Sequence, residues 1–154
     1  MGKKGLVIFF LLLIIRLSAQ LPGYSYYKKL TTQESQITVG TTNLTNFPVL
    51  VRITDPELRH TSFGGNIKNT NGYDIQFTAA DKTTLLTFQI EKYVQNTGEL
   101  VAWVKVPTVS ATINTDFYMF FGNAAIVTDP SATTTWDANY RAVWHFSKDR
   151  KSVV

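Results

Sequence analysis

Thr84-Leu-Leu-Thr-Phe-Gln-Ile-Glu91, Gln95-Asn-Thr-Gly98 and Leu100-Val-Ala-Trp-Val-Lys-Val106 together decide the fold class. In the first run Leu86, Phe88 and Ile90 alternate with Thr87, Gln89 and Glu91. In the last, Leu100, Ala102, Val104 and Val106 alternate with Val101, Trp103 and Lys105. A period of two puts successive side chains on opposite faces of a strand, so both runs read as half-buried strands. The turn residues between them predict a hairpin with a loop longer than two residues.

The same pattern continues outward. Val49, Val51 and Ile53 alternate with Leu50, Arg52 and Thr54, and Asp55-Pro56 stops the run. Ile75 and Phe77 sit among Asp74, Gln76 and Thr78. Phe117 to Phe121 is apolar on both faces, as a strand central in a sandwich must be. Tyr26–Leu30 and Gln36–Val39 are the expected opening strands. All 21 threonines follow residue 30, and their stiff side chains suit pleated surfaces. Turn signals such as Gly64-Gly65, Asn71-Gly72, Gly122-Asn123 and Asp129-Pro130 separate these runs at short intervals. The expected fold is all-β, an antiparallel sandwich of about seven or more short strands.

The chain has 154 residues, 44% hydrophobic and 17% charged, enough for one domain with a real core. It has no cysteine, which excludes disulfides, thiolate metal sites and a cysteine nucleophile. The formal charge of +4 does not describe the body of the chain. Between Gln20 and Lys148 there are 10 basic and 10 acidic residues, and no basic run beyond Lys28-Lys29. Nucleic acid is therefore not an expected partner.

Residues 1–19 read as a signal peptide. Lys3 and Lys4 precede ten apolar residues, Leu6 to Ile15, and Ser18-Ala19 offers small residues for cleavage near Ala19. Ten helical residues reach only about 15 Å, half a hydrocarbon core, so a membrane span in the mature chain is not expected. The expected location is secreted or cell-surface.

Asp74-Ile-Gln-Phe-Thr78, Asp81, Thr83-Thr-Leu-Leu86, Ile90-Glu91, Leu100 to Pro107, Phe117 to Asn123 and Ala142-Val-Trp-His145 occur in that order. Tyr27-Lys-Lys-Leu30 and Asn46-Phe-Pro-Val-Leu-Val51 precede them. In this order and spacing, residues 26–123 resemble the bacterial family of domains of unknown function numbered 2341. The resemblance implies a secreted or surface-exposed module, often followed by a concanavalin A-like, laminin-G-like domain. It carries no established activity. Residues 124–148 then read as a linker, with Trp136 to Phe146 resembling the start of such a following domain. Nine residues after His145 are too few for that domain, and Asp149 to Val154 read as an artefactual tail on a truncated frame.

No catalytic constellation is expected. Asp74 and Asp81 invite a calcium reading, but without an Asp-x-Asp-x-Asp/Asn-Gly loop the favoured role is local turn hydrogen bonding. Glu91 and Glu99 on facing hairpin strands have the residue types of a glycosidase pair, with solvated surface acids as the favoured alternative. His60 reads as a loop residue and His145 as a packing or interface residue, since no Gly-x-Ser-x-Gly turn is present. No metal or cofactor is expected.

The aromatic residues offer more. Trp103, Tyr118 and Trp136, with Tyr93, are amphipathic plates of the kind that stack on sugar rings or protein partners. The first three are the candidate binding residues. Trp103 is either a core residue of the second sheet or a residue at the surface or under a loop. The expected function is a non-catalytic module for adhesion, glycan or surface-protein binding within a larger protein. The alternatives are an accessory domain of a secreted carbohydrate-active enzyme, or a spacer without a ligand. An exposed patch of coplanar aromatic rings distinguishes a binding module from a spacer.

Overall fold

The computed structural model describes residues 20–37 and 40–136. The signal-peptide reading, the segment from Asp137 to Phe146 and the tail from Asp149 lie outside the described residues. Among the described residues, no helix is long and apolar enough to cross a membrane.

Among the described residues, seven antiparallel strands form two sheets. They are β1 (Tyr26–Thr32), β2 (Leu44–Thr54), β3 (Ile75–Ala79), β4 (Leu85–Leu86), β5 (Phe88–Val94), β6 (Glu99–Val109) and β7 (Thr115–Phe121). The first sheet has the order β1-β7-β3-β4 and the second β2-β6-β5. The fold is an all-β sandwich, as the alternation in the sequence demands. The doubly apolar run Phe117 to Phe121 is β7, held between β1 and β3.

The core is assembled from the two inward faces. Ile75, Phe77, Leu86, Phe117, Met119 and Phe121 from the first sheet are buried against Val51, Phe88, Leu100, Ala102, Val104 and Val106 from the second. Phe77 and Phe88 meet edge-on across the sheets at 5.0 Å. The alternation sets this sorting, because a one-residue slip would expose every one of these side chains.

Two expectations need correction. Thr84 to Glu91 is not one strand. Leu85 and Leu86 pair with β3 in the first sheet, whereas Phe88 pairs with Val104 in the second. The chain changes sheets at Thr87, whose carbonyl already accepts from the Lys105 N–H at 2.9 Å. Leu86, Phe88 and Ile90 still face inward, because both sheets share one core. Nor is Gln36 in a strand: Glu34–Gln36 is a 3-10 turn closed by the Ile37 N–H on the Glu34 carbonyl. Glu, Ser and Gln have no apolar alternation to lay on a sheet. Thr38 and Val39 lie outside the described residues.

The predicted hairpin of β5 and β6 is present, with its loop at residues 95–98. A bulge between Ile90 and Lys92 adds Glu91 to β5. The extra residue restores Tyr93 to the inward face, where its hydroxyl donates to the Leu58 carbonyl at 2.8 Å.

Candidate functional site

The two outward faces of the sandwich carry the aromatic residues, and they are built differently. On the second sheet Leu50, Trp103 and Gln89 lie in register across β2, β6 and β5. Because Ala102 and Val104 form the buried face, Trp103 points outward and is not a core residue. It is covered instead by the segment that follows β7. Ala132 donates its N–H to the Phe88 carbonyl at 2.8 Å, and the Ser131 hydroxyl accepts from the Ile90 N–H at 3.1 Å. The Lys105 ammonium holds the Thr134 carbonyl at 3.0 Å. Residues 131–136 are thereby fastened to the free edge and outer face of this sheet.

Trp136 then lies against Trp103, ring centres 5.3 Å apart and planes inclined at 57°. Both indole N–H groups are engaged: Trp103 donates to Glu91 at 2.9 Å, and Trp136 to Gln89 at 2.6 Å. A ring pair tilted and pinned at both edges is a clasp between segments rather than an open plate. Trp103→Ala is expected to cost about 2 kcal/mol, roughly half the value for a fully buried aromatic. Trp103→Phe keeps the ring contact and should recover most of the loss. Chemical denaturation of the two variants checks this.

On the first sheet the outer face has no such cover among the described residues. Tyr27 and Phe120 are neighbours across β1 and β7, as are Lys29 and Tyr118. Tyr24 and Tyr27 lie over Phe120, with ring centres at 6.1 and 5.5 Å, and Phe120 is fully buried beneath them. Tyr27 is 46% exposed and stands edge-on to Tyr118 at 5.8 Å, the planes inclined at 67°. The rings make a V, not a coplanar plate. The Lys82 ammonium fills its mouth, 4.3 Å from the Tyr27 ring centre and 4.8 Å from that of Tyr118.

Lys82 reaches this position from the β3–β4 turn. Its own φ is +63°, a left-handed conformation uncommon for a lysine, and its N–H donates to the Ala79 carbonyl at 3.0 Å. Asp81 fixes the turn by accepting from the Thr84 hydroxyl and from the Thr83 and Thr84 N–H groups. These bonds, that of the Thr84 hydroxyl first, hold its carboxyl down at about 2. Beside the V, Lys29 is paired with Asp116 at 2.9 Å. That ammonium and the Thr31 hydroxyl hold the Asp116 carboxyl below its ordinary value.

The remaining candidates fall into local roles. Asp74 is fully buried and accepts from the Lys68 and Asn69 N–H groups at 2.7 and 3.0 Å. Burial first, and then the charge of Asp74, pushes the Tyr93 phenol well above its ordinary value. Glu91 lines a cleft of about 140 Å³ with Asn71, Tyr73, Tyr93 and Asp129, and Glu99 is not among its walls. The Glu99 carboxylate is paired with Lys92 at 2.8 Å. Asp129 is a second carboxylate of that cleft which the sequence did not single out, and it caps the Ser131 N–H at 2.9 Å. His60 accepts the Ser62 N–H at Nδ1, which leaves Nε2 to donate to the Lys68 carbonyl at 3.2 Å. Among the described residues no three His, Asp or Glu side chains are grouped to hold a metal ion.

The structure thus brings Trp103 and Trp136 together and places Tyr118 on the opposite outer face. Tyr27 and Lys82 complete the Tyr118 site. Neither was singled out in the sequence, because a tyrosine on an edge strand and a turn lysine carry no spacing signal.

The family described as Domain of unknown function (DUF2341) matches residues 71–149, half of the chain. The chain belongs to this family. The matched span contains β3 to β7, and with them Lys82, Trp103, Tyr118 and Trp136. It runs past Asn123 to residue 149 and so takes in the segment clasped to the second sheet. β1 and β2, with Tyr27, precede it. No curated protein and no solved structure matches the chain.

Proposed function

We propose that this chain is a non-catalytic module of a secreted or cell-surface protein, and that it binds an extracellular glycan through the outer face of its first sheet. The observation that carries this reading is the Tyr27–Tyr118 pair, which is not the coplanar patch expected of a binding module but an inclined pair with a cation at its mouth. It combines ring surface, two phenol hydroxyls and an ammonium on a rigid sheet, which is the mixture of apolar face and polar edge that a sugar presents in return. The export-type N-terminal segment supports the location. The separate engagement of Glu91 by Trp103 and of Glu99 by Lys92 supports a role without catalysis.

Affinity electrophoresis of the purified chain in gels containing plant, algal and bacterial polysaccharides tests the proposal. At least one polymer should retard the chain. Tyr27→Ala and Tyr118→Ala should abolish that retardation without lowering the melting temperature by more than a few degrees, since both rings lie outside the core. Retardation by none of the polymers, or equal retardation of both variants, overturns the reading.

A further inference from the structure

The ligand of the Tyr27–Tyr118 site can be named more closely from the state of Lys82. We infer that the site takes a carboxylate-bearing sugar, a uronic acid within a polysaccharide, and that Lys82 is its ionic contact. The inference rests on the glycan-binding reading above and deepens it.

Three observations carry it. First, the Lys82 ammonium faces two aromatic rings and forms no ion pair among the described residues. Its immediate sequence neighbour Asp81 is held by Thr83 and Thr84. Aromatic faces orient a cation without neutralising it, so the charge stays available to an incoming anion. Second, the other cation on this face, Lys29, is already paired with Asp116. One uncompensated ammonium matches one carboxylate per sugar. A densely sulfated chain needs a row of cations. Third, the turn that carries Lys82 is built for position. The left-handed backbone at Lys82 and the triple acceptance at Asp81 fix the turn backbone, and the two rings hold the ammonium. Little further order is then lost when an anion docks. Tyr27 and Tyr118 both belong to this outer face, and the exposed part of Tyr27 remains for the C–H face of the sugar.

Titration of the full chain with polygalacturonate, alginate and hyaluronan, followed calorimetrically at low and moderate salt, tests this. Methyl-esterified polygalacturonate is the probe of equal shape without the charge, and dextran sulfate is the probe of charge without the carboxylate. At least one uronate polymer should bind, with affinity falling as salt rises. Lys82→Gln should weaken that binding tenfold or more, and Lys82→Arg should retain most of it. Lys92→Gln, on the other sheet, should leave it unchanged. The methyl ester should bind at least tenfold more weakly than the acid.

Equal binding of acid and ester, or no effect of Lys82→Gln, overturns the inference. So does tighter binding of dextran sulfate than of any uronate polymer. Binding confined to neutral polysaccharides, still abolished by Tyr27→Ala, overturns the role of Lys82 while leaving the glycan-binding reading intact. Absence of binding to every polymer overturns both. A melting-temperature loss in Lys82→Gln with uronate affinity unchanged assigns the lysine to turn stability alone and also overturns the inference.

Discussion

Asp74→Ala is expected to destabilise the chain by about 3 to 4 kcal/mol, because each hydrogen bond to a buried charge is worth about 1.5–3 kcal/mol. The Asp74 side chain is fully buried ahead of β3 and ties together the N–H groups of Lys68 and Asn69. Without it two part-buried donors face an empty space. Asp74→Asn keeps the shape and one acceptor but turns an amide N–H₂ toward the other donor, so it should lose about 2 kcal/mol. Urea denaturation of the three proteins measures both. The same variants distinguish the turn role from the calcium role considered for Asp74 and Asp81. If Asp74 serves the loop, a chelator leaves the midpoint of the parent chain where it was, and added calcium does not raise it. A midpoint that shifts with calcium, or a loss below about 1 kcal/mol in Asp74→Ala, contradicts the assignment.

Gly98→Ala is expected to cost about 2–5 kcal/mol, from left-handed strain of about 1–2 kcal/mol and overpacking of about 1–3 kcal/mol. Gly98 closes the β5–β6 hairpin with φ at +72°. A Cβ there would lie 2.0 Å from the Asp55 carbonyl oxygen and 3.0 Å from the Arg59 nitrogen. That backbone is itself bonded to the hairpin, since the Asp55 N–H donates to the Gly98 carbonyl at 3.2 Å. Neither side can yield without breaking the junction between β2 and the hairpin. Gly98→Asn distinguishes the two contributions. Asparagine tolerates the left-handed backbone but brings the same Cβ, so it should recover no more than about 1 kcal/mol. Full recovery in Gly98→Asn would assign the effect to backbone strain and remove the close approach as its cause.

Gly98 is marked by the sequence as turn punctuation, and Asp74 as a turn acceptor or a calcium candidate. Asp74 was legible as an acceptor for local donors, which its role confirms. Its complete burial was not, because burial depends on what packs over the loop. Gly98 was legible as a turn glycine. That it also makes room for the backbone after β2 follows only from the approach of residues 55–59 to the hairpin. The same limit applied to the candidate binding residues. Trp103 was correctly placed opposite Ala102 and Val104. What covers it, residues 131–136, became visible only once the chain had returned to the edge of β5.

By itself, the sequence determined the all-β class, the alternation of faces along its strands, the central position of β7 and the hairpin of β5 and β6. Alternation and turn residues are local properties, and a buried face tolerates only one register. The tertiary structure decided the rest: the crossing between sheets at Thr87, the Trp103–Trp136 clasp, and the meeting of Tyr27, Tyr118 and Lys82. Those partners lie between 33 and 91 residues apart along the chain. Their contacts depend on which strands pair and which turn reaches across, and no spacing within a single segment encodes that.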